Sequence, residues 1–346
     1  GKGGLIALRA RNVQIIGDQS ENLAVAGNVL VTVRALPLLR GNVAVKRVIL
    51  NNASLSLAPF VQARNDGTSP DWPTNFDISG SLHALRGMLD KVSENVSDTG
   101  LEEVLVNNTK LVGFDQLGLR SREARIISLK LEKDVNFQSG LFVDAQLEAE
   151  HANWRIGGSW RHLDDGSKAL DLQVAGVDLR EFFANAEPEN ARAIYADSPF
   201  NFAAKIPFSS DGVAQQAVAR INIDQGRLRL DEDYDTTLVA GGFNFRVLPE
   251  KNQIELERSP VEVPTAKMVL IGGLKFPQDK TQTTSPNKIL FEIIANDIES
   301  RALVATDEPA RAALRMGGWI DAENKAFHAS ELSLTSRTGA VSGSGV

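Results

Sequence analysis

The segments VILNNASLSL (48–57) and VLVNNTKLVG (104–113) decide the fold, because they repeat one pattern and begin 56 residues apart. Each has three aliphatic residues, then Asn-Asn, a small residue, a polar residue and Leu. Aliphatic, partly β-branched runs interrupted by Asn are typical of β-strands. The repetition therefore predicts two equivalent strands in successive structural units, each with the same pleat and turn.

Alternation of apolar and polar residues continues over most of the chain. NLAVAGNVLVTV (22–33) alternates twice, and EARIISLKLEKD (123–134) places Ile127, Leu129 and Leu131 on one predicted face. A period of two, punctuated by Gly, Asn and Asp, is the strand and hairpin signature. Strands therefore dominate the prediction.

Longer echoes occur after residue 140. WRIGGSW (154–160) is echoed by VLIGGLKF (269–276), and LDLQVAGVDLREFF (170–183) by ILFEIIANDIESRAL (289–303). The order strand, glycine-marked strand, strand and short helix thus occurs about twice. Such repetition predicts stacked units, each too small to bury its own apolar face.

Helical patterns are few. Residues 77–98 carry aliphatic side chains at spacings of three and four, which predicts one amphipathic helix with Ser79 or Ser81 as its cap. Residues 177–186 and 300–316 are interpreted as short helices.

The predicted fold class is mostly β, with a long curved antiparallel sheet that forms an open hydrophobic groove from repeating units. An ordinary β-sandwich is the alternative, since either arrangement covers a one-faced sheet. The predicted segments are an N-terminal β unit (1–62), a loop and amphipathic helix (63–99), a second β-groove unit (100–186) and a third (187–346).

Composition excludes several classes of site. The net charge is −7 and no basic block occurs, which disfavours nucleic acid and anionic membrane surfaces as partners. The chain has no Cys, so disulfides, thiolate metal sites and Cys nucleophiles are excluded. No stretch of 18 consecutive apolar residues occurs, so no membrane span is predicted.

Candidate catalytic and metal-binding residues form no recognisable motif. His83, His151, His162 and His328 lack metal-ligand spacing, although His151 and His162 lie in neighbouring predicted strands. DEDYD (231–235) begins like a calcium loop but lacks the Gly and Glu required later in an EF-hand, so it is interpreted as an acidic hairpin turn. We expect no enzyme activity, no metal and no cofactor.

The groove hypothesis assigns the aliphatic face of the sheet to an apolar ligand. Period-two alternation identifies the face but not which side is concave. The side chains predicted to line the groove are Leu23, Val25, Val29, Val31, Val33, Val43, Val45, Leu55, Leu57, Ile127, Leu129, Leu131, Leu141, Val143, Leu147, Leu172, Val174, Leu228, Leu230, Phe243, Phe245, Val247, Ile254, Leu256, Leu332 and Leu334.

The first third of the chain resembles the N-terminal unit of the AsmA-like superfamily, which includes AsmA, TamB and YhdP. The resemblance lies in a strand with Val13 and Ile15, the segment LPLLRG (36–41) and the strands from Val45 to Leu57. The predicted amphipathic helix over 77–98 and the segment VLVNNTKLVGFD (104–115) match the next elements of the family pattern. The second half resembles the repeating body of the YhdP-like members, in a pattern of strand and glycine positions.

The resemblance implies a periplasmic protein of a Gram-negative bacterium, anchored in the inner membrane by an N-terminal helix that precedes these residues. Its groove would bind phospholipid acyl chains and conduct phospholipid between inner and outer membranes, which supports outer-membrane integrity. Partners in either membrane are implied. Since the chain opens without Met and stops within a predicted strand, we expect a piece of a longer protein.

Other functions remain open. A periplasmic scaffold or assembly factor for outer-membrane biogenesis would bind protein strands at an exposed sheet edge. An adhesin-like solenoid would show polar interior ladders and more regular repeats.

Overall fold

The computed structural model describes residues 4–16, 22–56, 77–113, 123–134, 140–150, 152–182, 195–229, 235–277, 288–300, 310–321, 326–337 and 339–345. The chain divides into two compact units. Unit 1 comprises Gly1–Gly67 and Leu85–Asn185, and unit 2 comprises Thr68–Ala84 and Ala186–Val346.

Unit 1 contains a sheet in which each strand pairs with the next in the chain. All pairs are antiparallel except β3 and β4, which run parallel. A short helix, α1 (Ala35–Leu39), joins β2 to β3. The strands are β1 (Leu5–Ile16), β2 (Asn22–Arg34), β3 (Val45–Ser56), β4 (Glu103–Val112), β5 (Glu123–Asp134), β6 (Gly140–Ala149), β7 (Asn153–His162) and β8 (Lys168–Asp178).

Unit 2 contains an antiparallel sheet in the order β10, β11, β14, β15, β16, β17, β18, β19 and β20. A smaller sheet places β12 between β9 and β13. The prediction of a mostly-β chain with long antiparallel sheets is confirmed. The strands are β9 (Tyr195–Ala196), β10 (Pro199–Phe208), β11 (Ala217–Ile223), β12 (Gly226–Arg229), β13 (Asp235–Leu238), β14 (Ala240–Leu248), β15 (Gln253–Val263), β16 (Ala266–Lys275), β17 (Lys288–Ser300), β18 (Ala310–Asp321), β19 (Ala326–Ser336) and β20 (Gly339–Gly345).

The long amphipathic helix is confirmed as α2 (Ile78–Asp98). Because it begins at Ile78, Ser79 and Ser81 lie inside its first turn, and the prediction that either caps it is wrong. The Ile78 amide instead donates to Oδ1 of Asn252, 2.9 Å away, which satisfies one of the free N–H groups at the helix start.

The two short helices predicted over 177–186 and 300–316 have different outcomes in the structure. Residues Leu179–Phe182 form one 3₁₀ turn directly after β8, and the end of that prediction lies outside the described residues. The helix over 300–316 is wrong where the chain is described, since residues 310–316 belong to β18. Ala, Leu, Arg and Met are good helix formers, but β18 pairs on both sides with β17 and β19, and that pairing overrides local propensity. The predicted loop over 63–75 lies outside the described residues.

Strands β3 and β4 explain the repeated Asn-Asn pattern. They are parallel neighbours, and Asn51 pairs with Asn107 in the ladder. Nδ2 of Asn107 donates to Oδ1 of Asn51 at 3.0 Å, and Nδ2 of Asn108 donates to Oδ1 of Asn52 at 2.7 Å, each across 56 residues of chain. The 56-residue interval in the sequence is therefore the offset between paired residues of β3 and β4. The two segments are adjacent strands of one sheet.

A row of left-handed asparagines crosses this part of the sheet. Asn12, Asn52 and Asn108 have φ of 52°, 52° and 46°. The flanking pairs place Asn12 opposite Gly27, and Gly27 opposite Asn52. Asn is among the few residues that adopt this conformation readily. We call Asn12, Asn52 and Asn108 the asparagine row.

The asparagine row shifts the alternation of its strands by one residue. In β4, the buried side chains Val106 and Thr109 are three residues apart instead of two. In β5, Ile126 and Leu129 pack in one apolar cluster, because a bulge lies between them. The shift occurs at the same level in neighbouring strands, so one face stays apolar on both sides of the row.

Each unit has its own apolar cluster. The cluster in unit 1 includes Val106, Ile126 and Leu147, and all of its members lie in strands. In unit 2, Ile78 and Leu82 of α2 pack with Phe276, Ile289 and their neighbours. Among the described residues, no helix has the length and apolarity needed to cross a bilayer.

Paired glycines let strands approach closely. A Cβ on Gly318 of β18 would lie 1.9 Å from the carbonyl oxygen of His328, and one on Gly272 of β16 would lie 2.1 Å from that of Glu292. These positions therefore tolerate only glycine without backbone movement.

Candidate functional site

One face of the unit 1 sheet is aliphatic from its first strand to its eighth. A single row of cross-strand partners crosses all eight strands without a polar member. Strands lie about 4.8 Å apart, so the row extends about 34 Å. The row consists of Ala10, Val29, Leu50, Val106, Leu129, Ala145, Ile156 and Val174.

A second row runs beside the first. Seven of its eight members are aliphatic, and the eighth is glycine. We call the face that carries both rows the apolar face of unit 1. The members are Leu8, Val31, Val48, Val104, Leu131, Val143, Gly158 and Leu172.

The apolar face of unit 1 is only partly covered. Val106 and Ala145 are buried, but Val31, Val48 and Leu172 are half-buried and Leu8 is exposed. Aliphatic side chains on this face are therefore only partly removed from solvent.

The opposite face of the same sheet carries charged side chains on most of its strands. Ion pairs on this face join neighbouring strands, and a further pair, Lys130–Glu132, lies within β5. Such exposed pairs contribute little stability, but they show which face is solvated. They are Arg47–Glu103, Lys110–Glu123, Arg125–Glu148 and Lys130–Glu132.

Most groove residues predicted in unit 1 lie on this apolar face. The register places them in the two rows or in the rows on either side. Whether they line a groove stays a prediction. They are Val29, Val31, Val33, Val45, Leu55, Leu129, Leu131, Leu141, Val143, Leu147, Leu172 and Val174.

Three predicted residues lie elsewhere. Val25 pairs with Gln14 on the charged side and is 41% exposed, because the alternation shifts between it and Val29. Ile127 is displaced by the bulge in β5, and its neighbour Ile126 packs with Leu129 instead. Val43 precedes β3 and is exposed. The side chain of Leu23 and the whole of Leu57 lie outside what the structure describes.

In unit 2 the predicted residues share one face of the larger sheet. Phe245 pairs with Leu256, and Val247 with Ile254. Val247 and Ile254 also pack against Ile78 and Leu82, so α2 covers part of this face. Phe243 lies two residues before Phe245, and Leu332 and Leu334 pair with Met316 and Leu314. The side chain of Leu228 and the whole of Leu230 lie outside the described residues.

An open depression of about 530 Å³ lies on the other face of the unit 2 sheet. Its floor is Gly272 and Gly273, where strand β16 has no side chains. Arg246 and Glu257 line it and pair with each other.

The titratable groups show one compact cluster. Asp90 of α2 accepts a hydrogen bond from Nζ of Lys168 at 2.6 Å, and Nε2 of His162 lies 3.7 Å from the same carboxylate. Burial, and then the charge of Lys168, lower the pKa of His162 below its ordinary value. The cluster joins α2 to β7 and β8 within unit 1.

The other candidate ligands do not assemble. His151 lies outside the described residues, as do Asp231 and Asp233, while His328 stacks on Trp319 with ring centroids 4.9 Å apart. In the part of the chain that the structure describes, no three His, Asp or Glu side chains are grouped to hold a metal ion.

Sequence reasoning missed the asparagine row. For Asn52 and Asn108 the signal is a step of three in the aliphatic pattern at an Asn-Asn pair inside a strand. The same step occurs in β17, where Asp297 has φ of 52°. Asn and Asp in mid-strand are otherwise disfavoured, which makes the pair informative.

Comparisons with protein-family models, with curated proteins and with solved structures found no match to this chain.

Proposed function

We propose that this chain binds phospholipid along the apolar face of unit 1 and acts as a periplasmic conduit between inner and outer membranes. The observation that carries the proposal is the all-aliphatic row across β1 to β8, partly exposed and backed by a charged face. The membrane setting comes from the resemblance to the AsmA-like superfamily.

The dimensions suit an acyl chain. The row extends about 34 Å, whereas a bilayer's hydrocarbon core, two acyl chains thick, is about 30 Å. A single acyl chain can therefore lie along the row with room to move. Each CH₂ removed from water contributes about 0.8 kcal/mol.

The chemistry of the row suits movement more than selection. Ala, Val, Leu and Ile offer no donor or acceptor at any position, so a sliding acyl chain meets similar surfaces throughout. Polar headgroups would remain in solvent at the margin of the face. A conduit of this kind needs no catalytic group.

The test compares two aspartate variants in one strand. Val31 and Val25 both lie in β2, but Val31 is on the apolar face and Val25 on the charged side. We expect native mass spectrometry of the purified wild-type chain to show bound phospholipid. Val31→Asp should lose it, because an ionised carboxylate in contact with an acyl chain is strongly unfavourable. Val25→Asp is the matched control and should retain it.

Two results would count against the proposal. One is a wild-type chain that carries no phospholipid and takes up no fluorescent phospholipid. The other is a folded Val31→Asp variant that binds lipid as Val25→Asp does. Circular dichroism of both variants establishes that the sheet is intact.

A scaffold that binds protein strands is the second candidate. Strand β20 (Gly339–Gly345) pairs with β19, and all seven of its residues are exposed. An extended peptide adds to a strand of this kind through main-chain hydrogen bonds. A lipid-free chain that captures an extended outer-membrane-protein peptide would favour this function over the conduit.

A further inference from the structure

A loop at one end of the unit 1 sheet displays large aliphatic side chains to solvent. Residues 35–43, which we call the leucine tip, connect β2 to β3 through α1. Leu39 is 84% exposed, Val43 67% and Leu36 57%, and Leu38 is also exposed. None of the residues of α1 is buried. An exposed cluster of this size marks an interaction site.

The leucine tip is a closed and ordered turn. The carbonyl oxygen of Pro37 accepts hydrogen bonds from the amides of Arg40 and Asn42, both at 3.0 Å. The amide of Arg34 donates to the carbonyl oxygen of Ala44 at 2.9 Å, which closes the neck of the loop. Gly41, at φ of 81°, makes the reversal possible. These backbone hydrogen bonds hold the turn in which the leucines are exposed.

The leucine tip continues the apolar face of unit 1. Val33, at the end of β2, pairs with Ile6 on one side and with Val45 on the other. Ile6 and Leu8 are exposed on that face. Aliphatic side chains of β1, β2 and β3 therefore lie between the tip and the two rows.

The charges around the tip are locally positive. Arg34 and Lys46 both pair with Glu102, at 2.5 and 3.2 Å, which leaves one excess positive charge. Burial acts to raise the pKa of Glu102, but these two hydrogen-bonding cations outweigh it and lower that pKa. Arg40 is exposed on the tip and forms no ion pair within the described residues. Anionic headgroups complement this arrangement, although the whole chain carries −7.

We propose that the leucine tip inserts into the interfacial region of an anionic phospholipid bilayer, with Arg40 at the level of the phosphates. Aliphatic side chains then enter the acyl boundary while the arginine stays in contact with headgroups. The docked bilayer would meet the end of the apolar face. Passage of lipid from bilayer to face rests on the proposed function, whereas docking does not.

Vesicle flotation of the full chain tests the docking. The probes are vesicles of phosphatidylethanolamine with phosphatidylglycerol, and vesicles of phosphatidylcholine alone. We expect the triple variant Leu36→Ser, Leu38→Ser, Leu39→Ser to partition about tenfold less into both. Arg40→Gln should weaken binding about fivefold on the anionic vesicles only. The matched control is Leu163→Ser with Val213→Ser, two exposed aliphatics in other turns of the chain, and it should bind as wild type does.

The proposal is overturned if wild type does not float with anionic vesicles, or if the triple variant floats equally well. It is also overturned if sedimentation shows a wild-type dimer that the triple variant abolishes, since the tip then contacts a second copy. The Val31→Asp chain separates the two proposals. It should float normally without bound lipid, and the triple variant should retain lipid. A Val31→Asp chain that floats and retains lipid removes the conduit and leaves docking intact.

Discussion

Adjacent asparagines in β4 allow the backbone role of the asparagine row to be separated from its hydrogen bonds. Asn107 and Asn108 each donate a side-chain hydrogen bond to the matching asparagine of β3. Asn108 alone of the two has a positive φ, of 46°. We therefore compare alanine and glycine at each position.

The expected order of stability reverses between the two positions. At Asn107, alanine loses the hydrogen bond, at about 1 kcal/mol, and glycine costs a further ~0.5–1 kcal/mol in backbone entropy. At Asn108, alanine loses a similar bond and occupies the left-handed region, which costs another ~1 kcal/mol. Glycine adopts that region freely, so Asn108→Gly should cost at most about 1 kcal/mol.

Amide hydrogen exchange of β3 and β4 peptides in the full chain measures this effect locally. A global unfolding free energy is unsuitable, because a chain of two units need not unfold in one step. Opening that costs about 1.4 kcal/mol less exchanges about tenfold faster. At position 107, the alanine variant should therefore show slower amide exchange in β3 and β4 than the glycine variant. At position 108, the alanine variant should show faster exchange than the glycine variant. If the alanine variant exchanges more slowly than the glycine variant at both positions, the proposed role of the left-handed conformation at Asn108 is refuted.

Three other expected outcomes rest on single contacts. Gly318→Ala should destabilise β18 by about 3 kcal/mol, because its Cβ would lie 1.9 Å from a carbonyl oxygen, while Gly317→Ala, at 3.8 Å, should cost far less. Amide hydrogen exchange of β18 peptides compares the two variants. Asp90→Asn should lower the free energy of local opening at β8 by about 2 kcal/mol, because it weakens the hydrogen bond that Lys168 donates to α2. Faster amide exchange in β8 should report this change. The pKa of His162 is lowered in the folded chain, so unit 1 should lose stability as pH falls from about 7 towards 5. His162→Gln should flatten that slope, measured as protection of β7 amides at stepped pH after correction for the intrinsic exchange rate.

The strands and α2 were predictable because their patterns are local. Period two over β6, and spacings of three and four over α2, report directly which side chains are buried. The helix over 300–316 failed for the opposite reason. Its residues favour helix in isolation, and only the neighbouring strands β17 and β19 determine that they are extended.

The candidate site was predictable only up to the asparagine row. Counting by twos from Val29 to Val33 identifies the apolar face correctly, but the same count extended back to Val25 reaches the charged side. The shift depends on a left-handed residue in a neighbouring strand at the same level, which no count along one strand reveals. The parallel pairing of β3 with β4 is likewise non-local, although the 56-residue interval was already visible.

The asparagine row also protects the sheet against a specific misfolding error. A strand that slides by two residues keeps every side chain on its proper side, so burial alone scarcely distinguishes the two pairings. In unit 1 such a slide would set left-handed Asn108 against an extended neighbour and break its bond to Asn52. The asparagine row thus fixes the register of the strands that it crosses. Only one alignment of these strands places Asn12 and Asn52 opposite Gly27 of β2 and keeps the bond between Asn108 and Asn52.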